Sequence, residues 1–277
     1  MHLLKIAAFC AGDRGGNPAG VVLATELPSD VDMQRTAAEV GFSETVFAAP
    51  EASGWRVRYF SPASEIPFCG HATIALGAAL ASEKGEGAFA LALNDSHIEV
   101  EGYRQGDQWG ASLLSPRTRN QEVPDTIVAA AAKLLGYSID DLDPGLPPAM
   151  IHAGADHLFM ALRTRDHLSA MRYDFAAGQT FMRQFGFVTI MLAHARTRSL
   201  FDVRNAFAFG GVYEDPATGA AAAALGGYLR DLAWEHDGAI AVHQGDDMGV
   251  PCRIRAEITS GPGAPVRVSG VARFMAN

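Results

Sequence analysis

The chain has only three cysteines in 277 residues, Cys10, Cys69 and Cys252. The count is odd and no pair has metal-ligand spacing, so neither a disulfide framework nor a thiolate metal site is expected. Such cysteine usage fits a reduced, cytoplasmic setting. Positive charge is also scarce: 22 Lys and Arg stand against 31 Asp and Glu, a formal net charge of −9. No basic cluster overrides that balance, which argues against a nucleic-acid or anionic-membrane partner. The longest apolar runs, such as 72–81, are too short to span a bilayer. The first ten residues lack a basic leader, a long apolar core and a cleavage site, so no signal peptide is expected. Familiar site signatures are missing too. There is no P-loop, no Gly-x-Gly-x-x-Gly between a strand and a helix, no Gly-x-Ser-x-Gly and no His-Glu-x-x-His. The nine histidines are dispersed, so no metal site is expected.

Hydrophobic content is 48% and charged content 19%, the composition of a soluble globular protein with a substantial core. The length allows one large domain or two of ordinary size. Strand-like stretches recur along the chain at 3–9, 21–23, 55–59, 88–93, 97–101 and 108–114, with turn residues between them. Residues 11–20, which contain Gly15-Gly16-Asn17-Pro18-Ala19-Gly20, read as a loop. Ser29 or Asp30 can cap a helix that stops at Gly41. The polar stretch 115–123, with Pro116, is the best linker, which places the division between 1–116 and 117–277. The second part holds a helix behind Pro124 that stops at Gly136, and another over 175–185. Strands follow at 157–162, 188–193, 200–206, 239–243, 252–258 and 266–273. The last of these can return to the N-terminal half.

Two distant segments read as versions of one another. Val57-Arg58 leads to Cys69-Gly70-His71-Ala72-Thr73 and an Ala-rich helix; Val203-Arg204 leads to Glu214-Asp215-Pro216-Ala217-Thr218-Gly219 and a second one. Aligning the Val-Arg pairs puts Thr73 and Thr218 within one position of each other. Helices 71–82 and 217–232 carry Ala and Gly on most faces and almost no charge before Glu83 and Arg230. A helix apolar all round is a buried helix. The expected fold is therefore α+β: two similar halves, each a mixed, mostly antiparallel sheet rolled around a central helix.

Helix starts offer unpaired N–H groups and the positive end of a dipole, which suit a carboxylate or a developing oxyanion. Gly70 and Gly219 permit close backbone approach there. The plainer reading has Thr73 and Thr218 capping structural helices. His71 can donate to an anionic substrate, and Asp215 can hold an amine; a core histidine and a helix-capping aspartate are the alternatives. Glu44 follows a helix stop and precedes an apolar strand, between Phe42 and Phe47. Aromatic surroundings favour the neutral form of a carboxylate, which suits proton transfer; the alternative is a solvated strand-end glutamate. Cys69 reads as packing or incidental to catalysis. A two-thiol racemase needs a second cysteine in the matching loop, which reads Asp215-Pro216-Ala217.

With these segments, and with residues 16–22, 43–47, 68–73, 214–219, Gln244-Gly245 and Met248-Gly249 in that order, the chain resembles the PhzF family of phenazine-biosynthesis-like proteins. The resemblance implies the diaminopimelate epimerase fold, with the cleft between two similar halves. It also implies no metal, no organic cofactor and a homodimer. In PhzF the reaction is isomerisation of trans-2,3-dihydro-3-hydroxyanthranilate. Glu44 matches the glutamate that moves the proton, while His71 and Asp215 match residues that hold the substrate and place protons. Substrate contacts are expected from Asn17, Ser43, Gly70, Ala72, Thr73, Thr218, Gly219 and Ala220. Three departures stand out: Ala220 where the family usually has serine, Gly249-Val250-Pro251 where it has Gly-Arg-Pro, and Asn205-Ala206-Phe207 after Arg204. The function expected is cofactor-independent isomerisation of a small cyclic or amino-acid-like carboxylate. A non-catalytic binder, or a cysteine-independent epimerase or racemase, is the alternative.

Overall fold

The structure, a computed structural model, describes residues 2–52 and 54–276. The chain divides into two compact units, Met1–Leu114 with Ser269–Asn277, and Ser115–Val268.

The first unit runs β1 (His2–Ala8), β2 (Asn17–Leu23), α1 (Asp30–Val40), β3 (Thr45–Glu51), β4 (Gly54–Phe60), β5 (Glu65–Ile66), α2 (Gly70–Lys84), β6 (Gly87–Ala92), β7 (His97–Gln105) and β8 (Gln108–Leu114). Neighbouring strands pair antiparallel except β2 with β3 and β4 with β6, which are parallel. Helix α2 packs against β1, β2, β3, β6, β7 and β8, and its residues from His71 to Ala81 are buried. Small side chains make that possible. A Cβ added to Gly77 would lie 2.6 Å from Val100 Cγ2 and 2.7 Å from Ala111 Cβ, so the helix sits on β7 and β8 with no room to spare. Helix α1 is amphipathic instead. Met33 and Ala37 pack on Val22, Phe47 and Phe60. The Ser29 hydroxyl accepts from Asp32 N–H, and Gly41 ends the helix at φ +71°.

The second unit runs β9 (Arg119–Glu122), α3 (Asp125–Leu134), β10 (Ala149–His152), β11 (Asp156–Ala161), α4 (Arg165–Ser169), α5 (Phe175–Phe185), β12 (Thr189–Ala195), β13 (Leu200–Ala206), β14 (Glu214–Asp215), α6 (Gly219–Asp231), β15 (Ala239–Gln244) and β16 (Cys252–Ile258). Strand β17 (Val266–Phe274) follows, and its later residues pair with β1 of the first unit. Helix α6, buried from Ala221 to Leu229, packs against β9, β10, β11, β15 and β16. Strand β11 has two dressed faces. Phe159 meets Tyr228 of α6, while Leu158 and Met160 join Leu162, Val128, Phe181 and Met182 in a second core under α3 and α5.

Three stretches depart from the expectations drawn from sequence. Strand β2 begins at Asn17, inside the segment read as a loop. Proline is tolerated because β3 joins β2 only from Gly20 onward, leaving Pro18 beside β1 alone. The linker holds β9, which is exposed along its whole length and paired with β10. It has no apolar alternation to announce it. Helix α6 begins at Gly219 rather than at residue 217, after Glu214 and Asp215 form a two-residue strand against β13.

Candidate active site

Each unit delivers its central helix in the same way. In the first, Arg58 on β4 grips Glu65 on β5, with Nε 2.8 Å from Oε1. In the second, Arg204 on β13 grips Glu214 on β14, with Nε 2.9 Å from Oε1. Each pair is bidentate, with Nη2 donating to the second carboxylate oxygen. The helix then opens on a glycine, Gly70 or Gly219, the same distance along the chain from its glutamate. This register revises the alignment of the two threonines. The loop before Glu214 is longer, so Thr218 is the N-cap residue of α6 and corresponds to Cys69, the N-cap of α2. Thr73 lies inside the first turn and is fully buried. Neither threonine caps its helix through its side chain.

At the start of α2, Glu44 enters from the segment before β3. Its carbonyl accepts from Gly20 N–H at 3.1 Å, which fixes the segment against β2. Its carboxylate reaches His71, with Oε2 3.4 Å from Nε2. Both atoms are buried and neither has a hydrogen-bond partner. On the other side of the ring, Nδ1 lies 3.3 Å from the partly buried Cys69 sulfur. Thr73 braces this turn from behind: its hydroxyl donates to Cys69 carbonyl at 2.7 Å and lies 2.7 Å from Tyr59 hydroxyl. Burial pushes the Tyr59 phenol above its ordinary range, so it stays a donor. The first intrahelical bond runs from Thr73 N–H to Cys69 carbonyl, so the amides of Gly70, His71 and Ala72 precede it.

Glu44, Cys69 and His71 offer donor atoms within 4.8 Å of one another. The thiol faces one ring nitrogen and the carboxylate the other. One imidazole cannot turn both nitrogens to one ion, so the three donors do not converge as a metal cage does.

The start of α6 is closed by its own bonds. Thr218 hydroxyl donates to Asp215 Oδ2 at 2.6 Å. Gln244, 1% exposed, donates to Asp215 carbonyl at 2.6 Å and to Thr218 hydroxyl at 3.0 Å, and accepts from Thr218 N–H at 3.2 Å. The bond from Ala222 N–H to Thr218 carbonyl begins the helix, with Gly219 and Ala220 half-buried at its mouth. Asn17 is buried at the start of β2 and Ser43 is exposed beside Glu44. Gln244 was visible only as part of a sequence motif. Glu214 was likewise visible only within a motif, Tyr59 only as part of a strand, and Glu65 carried no sequence signal.

A depression of about 580 Å³ beside α1, lined by Asp30, Arg35, Arg58 and Glu65 among others, includes neither Glu44 nor His71. Its charges are paired: Arg58 with Asp30 and Glu65, and Arg35 with Asp32. No helix among the described residues is long and apolar enough to cross a membrane.

Comparison with known proteins agrees with this architecture. Residues 6–277 match the family described as phenazine biosynthesis-like protein, PhzC-PhzF. An uncharacterized isomerase of Deinococcus radiodurans is 32% identical over 92% of this chain and 85% of its own length. The trans-2,3-dihydro-3-hydroxyanthranilate isomerase of Pseudomonas chlororaphis is 30% identical over 97% of this chain and 95% of its own. In fold, the chain matches a PhzF-family protein of Bacillus anthracis with TM-score 0.88 at 21% identity, covering 99% of this chain and 96% of that one. A predicted epimerase of Pseudomonas aeruginosa matches with TM-score 0.83 at 24% identity, over the same shares. The chain belongs to the phenazine biosynthesis-like PhzF family and is an isomerase.

Proposed function

We propose that this isomerase moves a proton between two carbons of a small carboxylate-bearing molecule, cyclic or amino-acid-like, with Glu44 as the acid–base group. One observation carries the reading. Glu44 Oε2 and His71 Nε2 face each other at 3.4 Å, buried and unpartnered, beside amides at the start of a buried helix. Buried polar atoms without partners are rare and costly, and they gather where a ligand completes them. Glu44 takes a proton from one carbon. The electron pair spreads into the adjoining unsaturated or carboxylate system, and Glu44 returns the proton to a second carbon. A 1,3-shift of this kind needs one base that becomes the acid, and these steps use no cofactor. His71 orients the reacting end. Amides of Gly70 and Ala72 suit the substrate carboxylate. Following the family resemblance, Asp215 holds a second group of the substrate, its own carboxylate fixed by Thr218. A homodimer is proposed on the same footing, as is a cytoplasmic setting.

The first substrate to test is the one named for the Pseudomonas chlororaphis relative, trans-2,3-dihydro-3-hydroxyanthranilate, followed by related cyclic and amino-acid carboxylates. In D₂O, turnover or wash-in of deuterium at carbon is expected from the parent protein and absent from Glu44→Gln. Undiminished exchange in that variant would remove Glu44 from the role.

A further inference from the structure

We propose that Cys69 is a positioning residue: it fixes the tautomer of His71 so that the neutral ring carries its proton on Nε2, the nitrogen facing Glu44. The two ring nitrogens have different surroundings. Nδ1 lies 3.3 Å from Cys69 Sγ, within hydrogen-bond reach for sulfur. Nε2 is buried, makes no hydrogen bond, and looks at Glu44 Oε2 across 3.4 Å. Neutral imidazole has one donor nitrogen and one acceptor nitrogen, and the bond made at one decides the other. A thiol is a weak donor and a weaker acceptor, so its contact with an imidazole nitrogen is S–H to N. Nδ1 is then the acceptor and the proton sits on Nε2.

The backbone holds the contact in place. Cys69 is the N-cap residue of α2, in extended conformation at φ −142° and ψ 117°, and its side chain makes no capping bond. Its sulfur lies against the ring two residues on. Its carbonyl is tied by the Thr73 hydroxyl at 2.7 Å, with Tyr59 behind. The corresponding position in α6 shows what the thiol contact adds. Thr218 turns its hydroxyl back to Asp215 and Gln244, and Ala220 stands where α2 has His71, so no ring needs orienting there.

The consequence rests on the function proposed above. A proton on Nε2 turns a donor toward Glu44 Oε2, the acid–base group of that reading. The other tautomer would set a nitrogen lone pair against the carboxylate. Cys69 would thus set which of the two Glu44 faces.

The test is long-range ¹H–¹⁵N correlation on protein labelled with ¹⁵N-histidine, without ligand, at neutral pH. The expected spectrum for His71 has a pyrrole-type Nε2 and a pyridine-type Nδ1. Cys69→Ala is expected to raise the Nδ1–H fraction several-fold, and Cys69→Ser, which keeps a donor, to restore the parent pattern. A donor can also be removed without refolding. Methyl methanethiosulfonate transfers a methylthio group to the partly exposed Cys69 thiol and releases methanesulfinate, while Cys10 and Cys252 are buried. The capped protein should behave as Cys69→Ala. A parent His71 protonated on Nδ1, or on both nitrogens, overturns the proposal. So does a pattern unmoved by both the alanine variant and the cap. Glu44→Gln that still turns substrate over would sink the functional reading and leave the tautomer result standing, so the two failures are told apart.

Discussion

The starts of α2 and α6 share a backbone plan and differ in how their polar atoms are satisfied. At α6, Thr218, Asp215 and Gln244 bond to one another. At α2, a carboxylate oxygen and an imidazole nitrogen lie buried with no partner. Each such orphan costs about 1–3 kcal/mol. The start of α2 therefore carries unsatisfied buried atoms, while the polar groups at the start of α6 are bonded to one another. The function proposed above puts the reaction at the unsatisfied pair.

The comparison breaks most visibly at Glu44. Glu44→Gln should lower turnover by about 10³-fold, within the range for a lost general acid–base group, with no loss of thermal stability. A variant that loses stability along with turnover would make Glu44 part of the scaffold instead.

Next come the two buried histidines. Both leave Nε2 without a partner, but that of His71 lies beside a carboxylate, whereas His157 is fully buried with Nδ1 2.8 Å from the Thr189 hydroxyl. Desolvation holds the His157 imidazole down at about 4. Its folded value lies below the unfolded one of about 6.5, so the unfolded chain binds the extra proton between them. That stability is complete above pH ~6.5 and is lost as pH falls to about 4, a change of roughly 3 kcal/mol. Urea midpoints followed across this window should flatten in His157→Asn. A slope equal to that of the parent would mean the ring is reached by water.

Two glycines at the same place along their helices sharpen the packing contrast. A Cβ on Gly77 would lie 2.6 Å from Val100, but one on Gly226 would lie 3.3 Å from Ile258 and Val266. Gly77→Ala should cost about 1–3 kcal/mol through overpacking. Gly226→Ala should come out near zero, since alanine's helix propensity offsets a slight contact. Denaturant curves that rank the two the other way would refute the difference in closeness.

The smallest effect concerns the N-cap pair. Thr218→Val removes the hydroxyl shared by Asp215 and Gln244 and should cost about 1–2 kcal/mol, read as a lower unfolding midpoint. Cys69→Ser should leave the midpoint almost unchanged. Equal losses at both positions would erase the distinction between a closed start and an open one.

Much of the fold was legible along the chain. Ser29 and Gly41 announced both ends of α1, and Phe175–Phe185 was readable as a helix from its apolar spacing. The two alanine helices, without charge until their last turns, could only be central ones. Strand β9 was not legible, because its stability comes from pairing with β10 and not from an apolar face. The threonine alignment went astray for a related reason. The loop before Glu214 is longer than its counterpart, and only strand pairing shows where each helix begins.

Composition alone settled that α2 and α6 would be buried, since a helix of Ala and Gly offers no charged face to water and lets strands approach closely. Local chemistry settled where helices stop and which residue types could move protons. Tertiary structure alone decided that Glu44 meets His71. The parallel pairing of β2 with β3 anchors Glu44, and α2 packs on both strands. Only packing, too, put the Cys69 sulfur on one face of that ring and the carboxylate on the other, because contacts between separate elements follow from how their faces fit and not from spacing in the chain.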